Sequence, residues 1–395
     1  MRARLTVRTL AVALGLVAPG MLAPASAGAQ ERWTLTPSLD LAERFDDNIF
    51  LTADNRQTDF VTEITPGFAL KLEEPVLSLS AGYSITGQLY AENSTLDNFG
   101  DTQSAFLSAS YRPTPRWTLG LNAYYARTTE AEAFLRPATV PQGVTVTTLP
   151  SVETGPDTIN QGTLNASAAY QFDRSTSGTA TYSFAATDSA AGSQTLDTSH
   201  SVGLGVSRQL TAIDQASVTA AATLFDTADE TTTAYSVLFG WVRQWTPSLS
   251  TDLALGPEVT DEDWGVAGRA GFTYQVERRL TVSMTLTQGT SLVVGATEPQ
   301  SATTLRGIIN YQATQALKLS GFGYIQRTAP SSDPTASDGT TDYAAGASVS
   351  YQVTTWMSAY LRYQFTLQEG GPGDVGDIRD NQVILGVSFS HPFVF

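Results

Sequence analysis

The feature that most restricts what this chain can become is a period of two. Between Val76 and Leu89, one parity reads Leu77, Leu79, Ala81, Tyr83, Ile85, Gly87 and Leu89, and the other reads Ser78, Ser80, Gly82, Ser84, Thr86 and Gln88. Successive side chains of a strand point to opposite sides, so the segment has one apolar face and one face of small polar groups. The pattern returns in Ser104 to Tyr111, Trp117 to Tyr125, Trp264 to Val276, Tyr343 to Val353 and Met357 to Leu367. In a soluble sandwich the apolar face meets a second sheet and favours bulky aliphatic and aromatic groups. Here the polar face is Ser, Thr, Gly, Asn and Gln with few charges, which suits a hydrated interior.

The connections between these segments alternate in length. Short turns fall near residues 73–75, 113–116, 173–175, 211–213, 246–248, 278–279, 314–315 and 354–355. Longer polar stretches fall near 46–57, 91–100, 131–157, 189–196, 228–231, 260–263, 293–299, 330–340 and 370–378. Eight turns and nine loops join eighteen strands, with 16 to 20 allowed because 131–157 has room for another hairpin. That stretch could fold into the lumen as a constriction or project outward. The expected fold is all-β: a transmembrane antiparallel up-and-down barrel with short periplasmic turns and longer extracellular loops.

Other features agree with an envelope protein. Arg2, Arg4 and Arg8, the apolar Leu10 to Val17 and the small residues of Ala25 to Ala29 read as a signal peptide over 1–29, leaving 30–395 as one barrel domain. No later run of apolar residues is long enough for a helical span. The absence of cysteine removes thiol catalysis, disulfides and iron–sulfur clusters. A net charge of −16 argues against nucleic acid as a partner. Tyr170, Tyr274, Tyr311 and Tyr351, each followed by Gln, sit beside short turns together with Trp33, Trp117, Trp245 and Trp356, as an interfacial aromatic girdle would.

The chain ends on a period-two stripe that includes Leu385, Val387, Phe389, Phe393 and Phe395. It resembles the C-terminal strand by which bacterial outer-membrane barrels are recognised by their insertion machinery. The expected partners are therefore outer-membrane lipid and that machinery. The run from Glu43 to Thr52, followed by Asp59 to Gly67, resembles the opening hairpin of a family of β-barrel porins commonly associated with exopolysaccharide synthesis and export loci. The resemblance implies an envelope role, with polysaccharide or secretion components as further partners, and supplies no reaction.

Seven charged residues share parity with the small polar groups and are expected to line a pore: Asp40, Arg44, Glu63, Lys71, Arg269, Arg306 and Arg362. Facing lipid at mid-membrane, an Arg or Lys would cost about 2–4 kcal/mol. Their lumenal use is either solute selection or an ion-pair network bracing the wall. Asp46, Asp47, Asn48, Asp54 and Asn55 have oxygen ligands for calcium, but their spacing suits a turn better. His200 and His391 both fall on the lipid-facing parity, and Asp197, Ser199 and His200 are split between two faces, so no catalytic set is expected. Neither a metal nor a cofactor is expected. The leading expectation is a non-enzymatic channel for hydrophilic solutes or saccharides, with a place in exopolysaccharide export. A plugged assembly barrel is the alternative, and an outer-membrane hydrolase a more distant one.

Overall fold

The computed structural model describes residues 32–129, 148–149, 158–189, 196–227, 231–261, 263–293, 299–330, 339–370 and 376–395. The signal segment expected over 1–29 lies outside them, as does most of the 131–157 connection. The strands are β1 (Arg32–Asp46), β2 (Asp59–Glu73), β3 (Leu77–Tyr90), β4 (Asn98–Thr114), β5 (Trp117–Thr128), β6 (Thr148–Leu149) and β7 (Ile159–Gln171). They continue as β8 (Thr176–Ser189), β9 (Asp197–Gln209), β10 (Asp214–Asp226), β11 (Thr231–Thr246), β12 (Leu249–Thr260), β13 (Asp263–Val276) and β14 (Leu280–Val293). The last six are β15 (Gln300–Gln312), β16 (Leu317–Pro330), β17 (Thr340–Gln352), β18 (Met357–Glu369), β19 (Ile378–Ser390) and β20 (Phe393–Val394).

Apart from the two-residue pieces β6 and β20, eighteen strands pair antiparallel with their neighbours in sequence, and β19 pairs back onto β1. The sheet therefore closes and leaves no barrel edge, which is the condition for spanning a bilayer with strands. This is the architecture the alternation implies. The large apolar groups of the outward parity are exposed, among them Leu204, Phe239, Leu255 and Leu385, each more than 60% accessible. A soluble protein would bury them; in a barrel they face hydrocarbon, and the apolar exterior places the chain in the outer membrane.

One rim carries the eight short turns. Gln171 donates its carboxamide to the carbonyls of Asp173 and Thr176, and Gln209, Gln244 and Gln312 do the same at their own turns. Gln at these strand ends is thus a turn cap, while Tyr170 and Tyr311, which precede two of them, belong to the girdle. Trp117 packs on Tyr170 at 4.8 Å, and Trp356 stacks on Phe389 at 6.0 Å. Asp173 accepts hydrogen bonds from the backbone and hydroxyl of Ser175 and from the backbone of Thr176, which together hold its carboxyl down at about 2.

The opposite rim carries the other nine connections. That near 260–263 is shorter than expected: β12 ends at Thr260 and β13 starts at Asp263, with Asp261 taking φ 50 in the tight turn. The connection after β5 adds no barrel strand among the described residues. Its β6 instead pairs parallel with Leu292 and Val293 of β14, far around the wall.

The terminal strand closes the barrel. Ser38 to Asp46 pair with Gln382 to Ser390, and after His391 and Pro392 the pairing resumes between β20 and β1. Pro37 and Pro392 both lack the N–H a ladder needs, which accounts for the gap. By contrast β13 and β14 pair only from Val276 up to Gly268, so Asp263 to Ala267 have no partner on that side. Beyond that point β14 parts from β13 while staying paired with β15 up to Ser291. Leu292, outward by alternation, is buried with the inward residues Phe225 and Ala234.

Candidate pore lining

Alternation and closure together decide which charges meet. Asp40 and Arg44 on β1, Glu63 on β2 and Arg362 on β18 are brought onto one stretch of inner wall when β19 joins β1. Arg44 is 1% exposed and donates to Asp46 at 2.6 Å and to Glu63 at 3.0 Å. Two carboxylates around one buried guanidinium form a brace, since the positive charge is spent locally and little field is left for a passing solute. Asp40 accepts from the Tyr360 hydroxyl at 2.6 Å, and the Arg362 guanidinium lies 5.7 Å from that ring. The Tyr360 ring lies against Gly386, where a Cβ would collide with it, so this position requires glycine.

The remaining three sit apart from this cluster. Arg269 on β13 pairs with Asp252 on β12 at 3.0 Å, Lys71 near the turn rim pairs with Glu73 at 2.6 Å, and Arg306 stands across from Tyr324. The Arg269 and Lys71 side chains are half exposed, so their pairs are worth at most about 1 kcal/mol each in water.

The lumen changes character along its length. Toward the loop rim Gln88, Gln326, Gln364 and Gln382 are almost fully buried on the inward parity, while Ser38 and Ser78 toward the turn rim are exposed. The first loop contributes to the packing: Leu51 and Ala53 cluster with Ile378. Asp46, Asp47 and Asn48, read from the sequence as a turn, fasten that loop to the last strand. Asn48 donates to the carbonyls of Thr52 and Arg379, and Asp47 accepts from both the backbone and the side-chain amide of Asn381. These oxygens already have protein donors, and no cluster of potential metal ligands occurs among the described residues.

A second narrowing was not foreseen. The backbones of β9 and β14, with four strands of the wall between them, approach within 8 Å. Between them lies a cavity of about 250 Å³. Ser183, Ser199, Ser201 and Thr223 line it from one side, and Thr287, Thr290, Ser291 and Thr304 from the other. Phe225 supplies an aromatic wall. Glu258 of β12 reaches Thr290, accepting from its N–H and its hydroxyl at 3.2 Å each, and so replaces the ladder bonds that β13 does not make there. Every hydroxyl in the lining looks ordinary in sequence; only the approach of β14 to β9 across the lumen brings the two sets together.

The histidines lie elsewhere. His200 faces outward, its Nδ1 2.9 Å from the Tyr182 hydroxyl and its ring beside Phe184, whereas Ser199 faces the cavity. His391 packs on Phe393 at the chain end.

Fold and lining together define a transmembrane β-barrel of the outer-membrane type. Residues 245–373, less than half of the chain, match the model of a family described as "Putative MetA-pathway of phenol degradation". No curated protein matches the chain. Among solved structures, it is similar to OccAB4 of Acinetobacter baumannii, with 10% identity over 92% of this chain and 98% of that one and a TM-score of 0.46. It is also similar to OccK7 (OpdD) of Pseudomonas aeruginosa, with 12% identity over 93% and 100% and a TM-score of 0.45. The siderophore receptor PirA of Pseudomonas aeruginosa follows, with 9% identity over 90% and 80% and a TM-score of 0.42. These likenesses carry no functional argument.

Proposed function

We propose that this chain is an outer-membrane channel for hydrophilic solutes, with saccharide as the cargo and a place in exopolysaccharide export. The observation that carries the reading is the polar inner face, with exposed serines toward the turn rim and a hydroxyl-lined cavity between β9 and β14. An eighteen-stranded barrel is wide enough to hold an aqueous path. In this reading the short turns face the periplasm, the long connections face outward, and Leu385, Val387, Phe389, Phe393 and Phe395 form the strand read by the insertion machinery. Asp40, Lys71, Arg269, Arg306 and Arg362 contact the permeating solute or its water, whereas Arg44 and Glu63 hold the wall. Phenol, named in the description of the partly matching family, fits this lumen less well, because a path lined by hydroxyls and carboxamides offers it little apolar contact.

Reconstitution tests the reading. Planar bilayers should show discrete ion-conductance steps, and proteoliposomes should swell in small sugars. A correctly folded barrel that passes neither ions nor oligosaccharides would remove the channel. A second reading is favoured by the buried loop-rim lumen: a plugged barrel that anchors secretion components. It predicts co-purifying envelope partners and no conductance.

A further inference from the structure

We infer that the throat between β9–β10 and β14–β15 is a binding site for one ring of an uncharged, polyhydroxylated solute. The inference rests on the channel reading and deepens it by naming what the cavity between β9 and β14 recognises. Two observations bear on its charge. Among the described residues the lining contains no ionisable side chain, in a protein whose net charge is −16. Glu258, which reaches the lining residue Thr290, has its carboxylate engaged there. The lining is therefore uncharged apart from this one carboxylate at its edge, in an otherwise charged wall.

The hydroxyls come from facing walls. A hydroxyl both donates and accepts, so opposed rows of them match the hydroxyls of a polyol and give an ion no complementary charge. Ser201 and Thr223 are 2.9 Å apart on one side, and on the other the Ser291 hydroxyl is buried with no protein partner. Phe225 offers an apolar surface for the C–H face of a sugar ring. Size sets the limit: about 250 Å³ is below the roughly 300–1,000 Å³ of sites for drug-sized ligands, so one ring fits at a time. A linear oligosaccharide would thread through, whereas a branched one would stop.

Calorimetric titration of maltotriose into the full-length protein, in a zwitterionic detergent without sugar headgroups, tests the site whether or not the barrel conducts. Saturable binding of maltotriose, with trigalacturonate binding at least tenfold more weakly, is expected. The double substitution Ser201→Ala with Thr223→Val removes two hydroxyls at nearly constant volume and should weaken maltotriose about tenfold. Ser201→Trp fills the cavity and should abolish binding, while the heat-modifiable gel mobility of a folded barrel persists. Absence of maltotriose binding, equal binding of trigalacturonate, or unchanged affinity in the double variant would overturn the inference. Conductance without maltotriose binding sinks the site and spares the channel; maltotriose binding without conductance does the reverse.

Discussion

The junction that closes the barrel and the junction of β13 with β14 solve one problem under opposite constraints. β19 and β1 meet across almost the whole chain, and joining ends so far apart costs several kcal/mol more loop-closure entropy than joining a hairpin. There the ladder runs up to Asp46 and is reinforced by side chains: Asp47 on Asn381, Asn48 on Arg379, and Arg44 between Asp46 and Glu63. β13 and β14 are joined by a short turn, so their pairing forms cheaply near it and is left unfinished at the far end. Where pairing is entropically expensive the sequence supplies extra polar bonds, and where it is cheap the wall can be opened and β14 bent inward to make a throat.

Substitutions should break this contrast unequally. The largest effect is expected for Arg44→Met, which leaves two acids facing each other in a buried site; about 3–5 kcal/mol of stability should be lost in denaturant titrations of the detergent-solubilised barrel. Restoring neutrality with Asp46→Asn and Glu63→Gln in the same chain should recover much of it. Asn48→Ala removes bonds to Thr52 and Arg379 and should cost about 2–3 kcal/mol by the same titration, with earlier hydrogen exchange in β19 than in β13.

The opposite junction can be tested by cross-linking in a chain that has no cysteine of its own. Ala270→Cys with Leu286→Cys lies within the ladder and should oxidise to a disulfide, whereas Val266→Cys with Thr290→Cys, two residue pairs beyond its end, should not. Equal cross-linking of both pairs would show that the seam is closed.

Much of the architecture was written in the chain. Alternation gave the two faces of each strand, and the turn residues gave the count of eighteen, because both are local signals. Inward placement of Arg44 or Arg362 also followed from parity alone. The clasp at the closing junction did not: Asp46-Asp47-Asn48 reads as a turn from its own side chains, while its bonds to Arg379 and Asn381 span more than 330 residues. The throat escaped for a different reason. Leu292 has the parity of a lipid-facing residue, and only the failure of the β13–β14 ladder turns it toward Phe225. The connection near 260–263 looked long because it is acidic, although Asp261 turns the chain within two residues.

The smallest expected effect lies at the turn rim, away from both junctions. The folded carboxyl of Asp173 is held at about 2 by Ser175 and Thr176. Because this value is depressed, its contribution is complete above the ordinary carboxylate range and disappears as pH falls from about 4 toward 2. Asp173→Asn should abolish that part of the acid dependence in pH-jump unfolding, and lower neutral-pH stability slightly, toward the level the parent has at low pH.

The account depends on which side of each strand meets water, and β17 allows this to be measured directly. Single cysteines at Ser348 and Ser350 face inward, and those at Ala347 and Val349 face outward. In proteoliposomes, a water-soluble, membrane-impermeant maleimide should label positions 348 and 350, while 347 and 349 should react only with a lipid-soluble reagent. Water-soluble labelling of 347 and 349, or no difference between the two sets, would contradict the assignment of an apolar outside and a hydrated inside.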